Sequence, residues 1–325
     1  MKIQLTHNFE DIINIDNLLI AWQEFKKGKG KRIDVGEFEM NLMDNILKLR
    51  HDLFNHTYKH GDYQAFNVCD PKPRNIHKAT VRDRILHRAV YRILYPFFDR
   101  IFISDSFSCR DDKGTHRAIN RFRRFTYIGT KNNTCTYWIL KCDIKKFFAN
   151  IDHQILLDVL RVYVPDDNII QLLKEIIESF SSIRKGVGLP LGNLTSQLFA
   201  NIYMNELDNF VKHKLKIKHY IRYADDFIVL HTDKLYLENI IFDIAKFLEE
   251  RLKLILHPDK VFIKTLFSGV DFLGYVNLPH YRVLRTKTKK RMFKRINNKN
   301  LQSYLGILSH CNGYKLKNKL ICGII

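Results

Sequence analysis

The stretch HYIRYADDFIVLH, residues 219–231, sets two carboxylates side by side, Asp225 and Asp226, between apolar flanks. Like charges so placed repel each other and resist burial unless a positive charge stands opposite. A third carboxylate, Asp143, follows a short apolar strand (Trp138–Leu140) in YWILKCDIKKFFANID and precedes Asp225 by 82 residues (225 − 143). If the two strands pair, all three acids meet at one edge of a sheet. Left alone, such a cluster takes up protons or repels apart. Magnesium resolves this, because hard cations take carboxylate oxygens and bridge to phosphates. Two metals a few ångströms apart activate an attacking hydroxyl and stabilise the leaving oxygen of an in-line displacement. Two Mg²⁺ ions per site, with Mn²⁺ able to substitute, are therefore the expected counter-charge. An Asp-Asp pair in a turn is by itself commonly just solvated, so the company it keeps must decide.

The elements that would position these acids follow from periodicity. Tyr220–Leu230 reads as two short strands joined at Ala224-Asp225-Asp226. Helical spacing runs over Asp11–Phe25, Glu37–Phe54, the segment VRDRILHRAVYRILYPFFDRIF, His153–Tyr163 and Leu237–Leu252. GVGLPLGNLTSQ is a glycine-punctuated loop feeding a helix from Ser196 to about Lys214, with Phe199, Ile202, Tyr203, Phe210 and Val211 on one face. GDYQAFNVCDPKPRNIHKAT and LHPDKVFIKTLFSGVDFLGYVNL read as strands, and the chain from Arg285 onward is basic and helical. This order implies an α+β arrangement, an antiparallel sheet with helices packed on one face.

The chain has 325 residues, with 54 Lys and Arg against 34 Asp and Glu, a formal charge of +20. An excess this large points to a polyanion partner, nucleic acid first. The run KKGKGKR (Lys26–Arg32) is too glycine-rich for a helix and too basic to bury; it is either a solvated loop or a nucleic-acid contact. The six cysteines show no CxxC pair and no zinc spacing, and are expected to be reduced, mostly buried thiols of a cytoplasmic protein. No signal peptide and no membrane-spanning stretch are visible.

At this point the blocks, taken in order, resemble those of the reverse transcriptases. YADD (Tyr223–Asp226) matches the palm hairpin, and LKCDIKKFFANIDH (Leu140–His153) the segment carrying the first metal-binding aspartate. GLPLGNLTSQLFANIYMNELD (Gly188–Asp208) matches the nucleotide-binding loop and helix. LHPDKVFI (Leu256–Ile263) and DFLGY (Asp271–Tyr275) match the two following blocks, the second being the primer grip; KPRNIHKATVRDRILHRAV (Lys72–Val90) resembles the fingers block. The resemblance implies a right-hand polymerase with fingers (1–135), palm (136–279) and a small helical thumb (280–325). It implies metal ligation by Asp143 and Asp225, by Asp226 as a third acid, and by the Ile144 backbone carbonyl. Phe148 either falls at the steric-gate position, where a ring would clash with a ribose 2′-OH, or is a core phenylalanine beside Phe147. Arg74, Lys78 and Arg82 are candidates to grip the triphosphate, and Leu191, Gly192 and Gln197 belong to the nucleotide-binding loop. Lys260 is either a proton donor to departing pyrophosphate or a salt-bridge partner. The implied partners are template RNA, DNA primer or cDNA, and deoxynucleoside triphosphates.

Two departures from the family pattern are informative. Leu191 stands where many members have Gln, and Gln197 where they have Pro. The LGNLTSQ form resembles the diversity-generating retroelement branch, error-prone at adenines and paired with a small basic accessory protein. A bacterial or phage-encoded enzyme of that branch is the leading expectation. Alternatives are a phage-defence reverse transcriptase and a catalytically idle RNA-binding protein on the same scaffold. Only about 50 residues follow Tyr275, so no nuclease domain is expected there.

Overall fold

The computed structural model describes residues 3–69 and 73–322. Lys72, which opens the fingers-like block, lies outside the described residues, as does the side chain of Cys322. Two compact units interleave along the chain: Met1–Ile103, Lys146–Asn209 and Phe247–Ile255 form the first, and Ser104–Lys145, Phe210–Lys246 and Leu256–Ile325 the second.

The first unit begins with α1 (Phe9–Ile13), α2 (Ile15–Lys26), α3 (Ile33–Met40) and α4 (Leu42–Phe54). Where periodicity suggests one helix over Asp11–Phe25, the structure breaks at Asn14. Its backbone leaves the helical region (φ −52°, ψ 137°), and its side chain instead accepts from the Asp16 amide at 2.8 Å. Asparagine competes in this way because its short amide bonds to the local backbone. Asn41 (φ −120°, ψ 43°) also divides the expected helix over Glu37–Phe54, by its backbone conformation and with no capping bond from its side chain. The basic run after Lys26 forms turns, as its glycines dictate.

Next come the antiparallel strands β1 (Gln64–Cys69) and β2 (Pro73–Lys78), then α5 (Val81–Ile101). Thr80 caps α5, its hydroxyl accepting from the Asp83 amide at 3.2 Å. The second unit then contributes α6 (Thr115–Gly129), a helix that the apolar pattern did not single out, and β3 (Trp138–Asp143). The chain returns to the first unit for α7 (Phe147–Asn150), α8 (His153–Tyr163), α9 (Asp167–Glu178) and α10 (Leu194–Asn209). Helix α9 also went unanticipated, although Asp166 supplies an N-cap to the amides of Asn168 and Ile169. Helix α10 is buried nearly all round, packs on α5 and α8, and widens into a π-helical turn at Phe210–Lys214.

The rest of the second unit holds β4 (Tyr220–Tyr223), β5 (Asp226–His231), most of α11 (Lys234–Leu252), β6 (Phe262–Thr265), β7 (Val270–Phe272), β8 (Tyr275–Asn277) and β9 (Arg282–Leu284). It ends in α12 (Thr286–Arg295), α13 (Leu301–Leu308) and α14 (Tyr314–Cys322). Strands β4-β5-β3-β6 make an antiparallel four-stranded sheet and β7-β8-β9 a three-stranded meander. Helix α6 packs on β4 and β5, and its Phe122 and Phe125 share a buried core with Ile139, Ile228 and Phe272. The cysteine expectation needs correcting. Among the described residues only Cys142 is buried, while Cys69 and Cys109 are exposed, because they sit on an open hairpin and a loop; none forms a disulfide.

Candidate active site

The strand pairing brings the expected acids together. Asp143, the last residue of β3, lies directly opposite Asp226, the first residue of β5. Directly opposed residues of antiparallel strands put their side chains on the same face. Asp226 thus belongs to the strand rather than to the turn, which Ala224 and Asp225 form alone, Ala224 in the left-handed region at φ 56°. Burial raises the Asp226 carboxyl to about 6; the charges of Asp143 and Asp225 push the same way, and Lys141 pulls against them.

Two lysines supply counter-charge. Lys141 Nζ lies 3.2 Å from Asp226 Oδ2 and donates to the Asp271 carbonyl at 3.1 Å. Lys260 Nζ lies 2.7 Å from Asp143 Oδ1, so the salt-bridge alternative for this lysine is present. Local structure explains its aim. The His257 amide donates to the Asp143 carbonyl at 2.7 Å, and the His257 ring accepts from the Asp259 amide at 3.3 Å, capping the 3-10 turn Pro258–Lys260. Ile144, buried beside Asp143, pairs with Leu256 in an antiparallel bridge.

Among the described residues, no three His, Cys, Asp or Glu side chains converge into a ready-made metal cluster. The donor set nevertheless has the chemistry of a hard-cation site, being all oxygen and strongly anionic. Asp226 Oδ1 is buried without a hydrogen-bond partner, an oxygen that such an ion would satisfy.

Sequence reasoning passed over two residues here. Lys141 is one; its signal was a charged residue inside an otherwise apolar strand, on the same face as Asp143 by two-residue alternation. Arg222 is the other, and it is completely buried in β4. Its guanidinium donates to the Ala224 carbonyl at 3.1 Å, bracing the turn, while its amide donates to the Asp105 carbonyl at 3.0 Å.

The remaining candidates lie in the first unit. Arg74 lies in the exposed first half of β2. Lys78 and Arg82 are already engaged: Lys78 Nζ is 2.7 Å from Asp34 Oδ2, and Arg82 Nη2 is 2.6 Å from Asp52 Oδ2. Burial pushes the Asp34 carboxyl up, but hydrogen bonds from Lys78 and Arg84 outweigh it and hold the group below its usual range. Phe147 is core at 3% exposure, whereas Phe148 is only half-buried and meets Phe147 edge to face. The Leu191 carbonyl accepts from the His77 amide at 2.9 Å, tying the loop to β2. Gly192 has φ 114°, and a Cβ there would come within 2.8 Å of Ile76 Cγ2, so this position needs glycine twice over. Gln197 is half-buried on α10.

The profile of the family described as reverse transcriptase (RNA-dependent DNA polymerase) matches residues 63–277. The chain belongs to the reverse transcriptase family. Its helices and antiparallel sheets are the α+β polymerase fold of that family. It is 27% identical over 211 residues to the putative COX1/OXI3 intron 1 protein of Saccharomyces cerevisiae, covering 61% of this chain and 24% of that one. Protein YkfC of Escherichia coli is 27% identical over 262 residues, covering 66% of this chain and 68% of that one. The group II intron-encoded protein LtrA of Lactococcus lactis is 25% identical over 362 residues, covering 89% of this chain and 59% of that one. The chain thus spans 24% to 68% of these relatives' lengths. No helix among the described residues is long and apolar enough to cross a membrane.

Proposed function

We propose that this reverse transcriptase chain is an active RNA-directed DNA polymerase, adding deoxynucleotides to a primer on an RNA template. The observation that carries the reading is the register that sets Asp143 opposite Asp226, next to Asp225. Asp143, Asp225 and Asp226, with the Ile144 carbonyl, would hold two divalent cations, Mg²⁺ or Mn²⁺. When bound, these supply Lewis acidity to the attacking hydroxyl and the leaving oxygen. Lys141 offsets the burial of Asp226 and favours its ionised form. Lys260 pairs with Asp143 and, on this reading, would give a proton to departing pyrophosphate. Phe148 excludes a 2′-OH, and Arg74 recruits phosphate oxygens with its guanidinium fork. Lys78, paired with Asp34, ties β2 to α3, and Arg82, paired with Asp52, ties α5 to α4; both would reach the triphosphate only by exchanging those partners. Fingers over 1–135, palm over 136–279 and thumb over 280–325 complete the proposed assignment.

Within the family the loop Leu191–Gln197 supports the error-prone enzyme of a diversity-generating retroelement, acting with a small basic accessory protein. A Leu in place of Gln removes one hydrogen bond to the incoming nucleotide, about 0.5–1.5 kcal/mol, which loosens selection without abolishing catalysis. A second reading, an intron-type enzyme, is favoured by the similarity to the group II intron-encoded protein LtrA. Primer extension on an adenine-containing RNA tests the activity. Wild type extends the primer with Mg²⁺ or Mn²⁺ and Asp225→Ala does not; an inactive wild type leaves the idle RNA-binding scaffold instead. Leu191→Gln lowers misincorporation opposite adenine if the retroelement role is right, and an unchanged error spectrum counts against it. In the flanking DNA, a template and variable repeat pair marks the retroelement, intron sequence the second reading, and defence genes a phage-defence enzyme.

A further inference from the structure

One cavity of the second unit is untouched by the proposed chemistry. It lies among α6, the β8–β9 turn and the α13–α14 loop and has a volume of about 350 Å³. Its walls include Asn120, Arg123, Tyr281, Arg282, Ser309 and His310. Arg282 makes this place unusual. It is only 8% exposed, its Nη2 donates to Asn120 Oδ1 at 3.2 Å, and its Nη1 is buried without a hydrogen-bond partner.

Guanidinium stays charged in proteins, so this is a buried cation, a costly state unless an anion faces it. Among the described residues no carboxylate lines the cavity. Two other neighbours could in principle carry negative charge, Tyr275 and Cys311. Burial pushes Tyr275 up to about 12 and Cys311 above its ordinary range, so both are neutral at pH 7. Burial first, then the charge of Arg123, press the Arg282 pKa downward. Among the described residues, two arginines thus line this cavity with no carboxylate beside them.

We propose that this cavity binds the phosphate group of a nucleotide, with Arg282 and Arg123 as its charged donors. The arginine fork matches phosphate oxygens, and the side-chain amide of Asn120, whose oxygen already accepts from Arg282, adds N–H donors of the kind that a multi-oxygen anion engages. The volume suits a nucleotide-sized group rather than a bare ion. None of these residues takes part in the proposed polymerase chemistry, so the site stands or falls separately from it. The same phosphate chemistry comes from two sources, a free nucleotide or a nucleotide within a strand.

Isothermal titration of the full chain in EDTA, which silences divalent-dependent nucleotide binding at the acids, tests the proposal. The probes are inorganic phosphate, adenosine 5′-monophosphate and a short single-stranded RNA. Arg123 is exposed, so Arg123→Glu folds, and it sets a carboxylate beside Arg282. The expected result is measurable binding of the monophosphate to wild type, at least tenfold weaker binding in Arg123→Glu and Arg282→Gln, and a higher ligand-free Tm for Arg123→Glu. Whichever of the monophosphate and the RNA loses more affinity in Arg123→Glu identifies the source. Failure of phosphate and monophosphate to bind wild type, or equal affinity in wild type and Arg123→Glu, overturns the site.

Discussion

At the residue scale, the chemistry depends on which of two neighbouring side chains is core and which is not. Phe147 and Phe148 look alike in the sequence, and either could fill an apolar pocket. The structure separates them, with Phe147 buried and Phe148 half-exposed. Phe148→Ala is therefore expected to raise ribonucleotide incorporation by about 10–10² fold while leaving deoxynucleotide incorporation nearly unchanged, read by primer extension with each triphosphate set. Phe147→Ala leaves sugar selection alone and costs stability instead. The acids were legible because their types and flanking strands announce them. Lys141 and Arg222 were not, since only pairing reveals that one faces Asp226 and the other braces the Ala224 turn.

At the element scale, helix α5 is tied to the segment before β1 by a buried polar network. Asp83 accepts from the Tyr58 hydroxyl at 2.7 Å, the Thr80 hydroxyl at 2.6 Å and the Gly61 amide at 3.2 Å. His87 Nε2 lies 3.2 Å from His60 Nε2 within it. Burial, then the neighbouring His60, push the His87 pKa down to about 3, against the opposing pull of Asp83. The folded state thus holds His87 neutral while the unfolded chain protonates it near 6.5. Between those values the unfolded state binds more protons, so stability is complete above about pH 6.5 and falls as pH drops toward 3. At pH 5 the loss from this one group is roughly 2 kcal/mol. Urea unfolding at pH 7.5 and pH 5 checks it: His87→Phe is expected to lose less stability across that interval than wild type, and equal losses would refute the assignment. Helices with strong amphipathic spacing, such as His153–Tyr163, were readable from the sequence to the residue. Asn14 interrupts another because an asparagine that can cap is ambiguous until tertiary packing selects its role, and the break at Asn41, which makes no side-chain cap, left no such signal at all.

At the scale of the whole molecule, the proposed function and a charge of +20 together predict RNA affinity carried largely by phosphate neutralisation and counter-ion release. Affinity measured by filter binding is expected to fall by about 10³-fold between roughly 50 and 200 mM salt if about six phosphates are contacted. A salt-independent affinity would rule this out. The two compact units each draw on separated stretches of chain, and contiguous sequence segments could not display that interleaving. By itself the sequence determined the chemistry available to this protein: the acids, the basic excess, the ordered blocks and the periodic helices are properties of residue type and spacing. Tertiary structure alone decided the partners. The register of β3 against β5 set Asp143 opposite Asp226, the 3-10 turn aimed Lys260 at Asp143, and the start of β9 left Arg282 Nη1 buried without a hydrogen-bond partner among the described residues. Each of these depends on a strand register or a loop closure between residues far apart in the chain, and local propensity carries no record of such pairings.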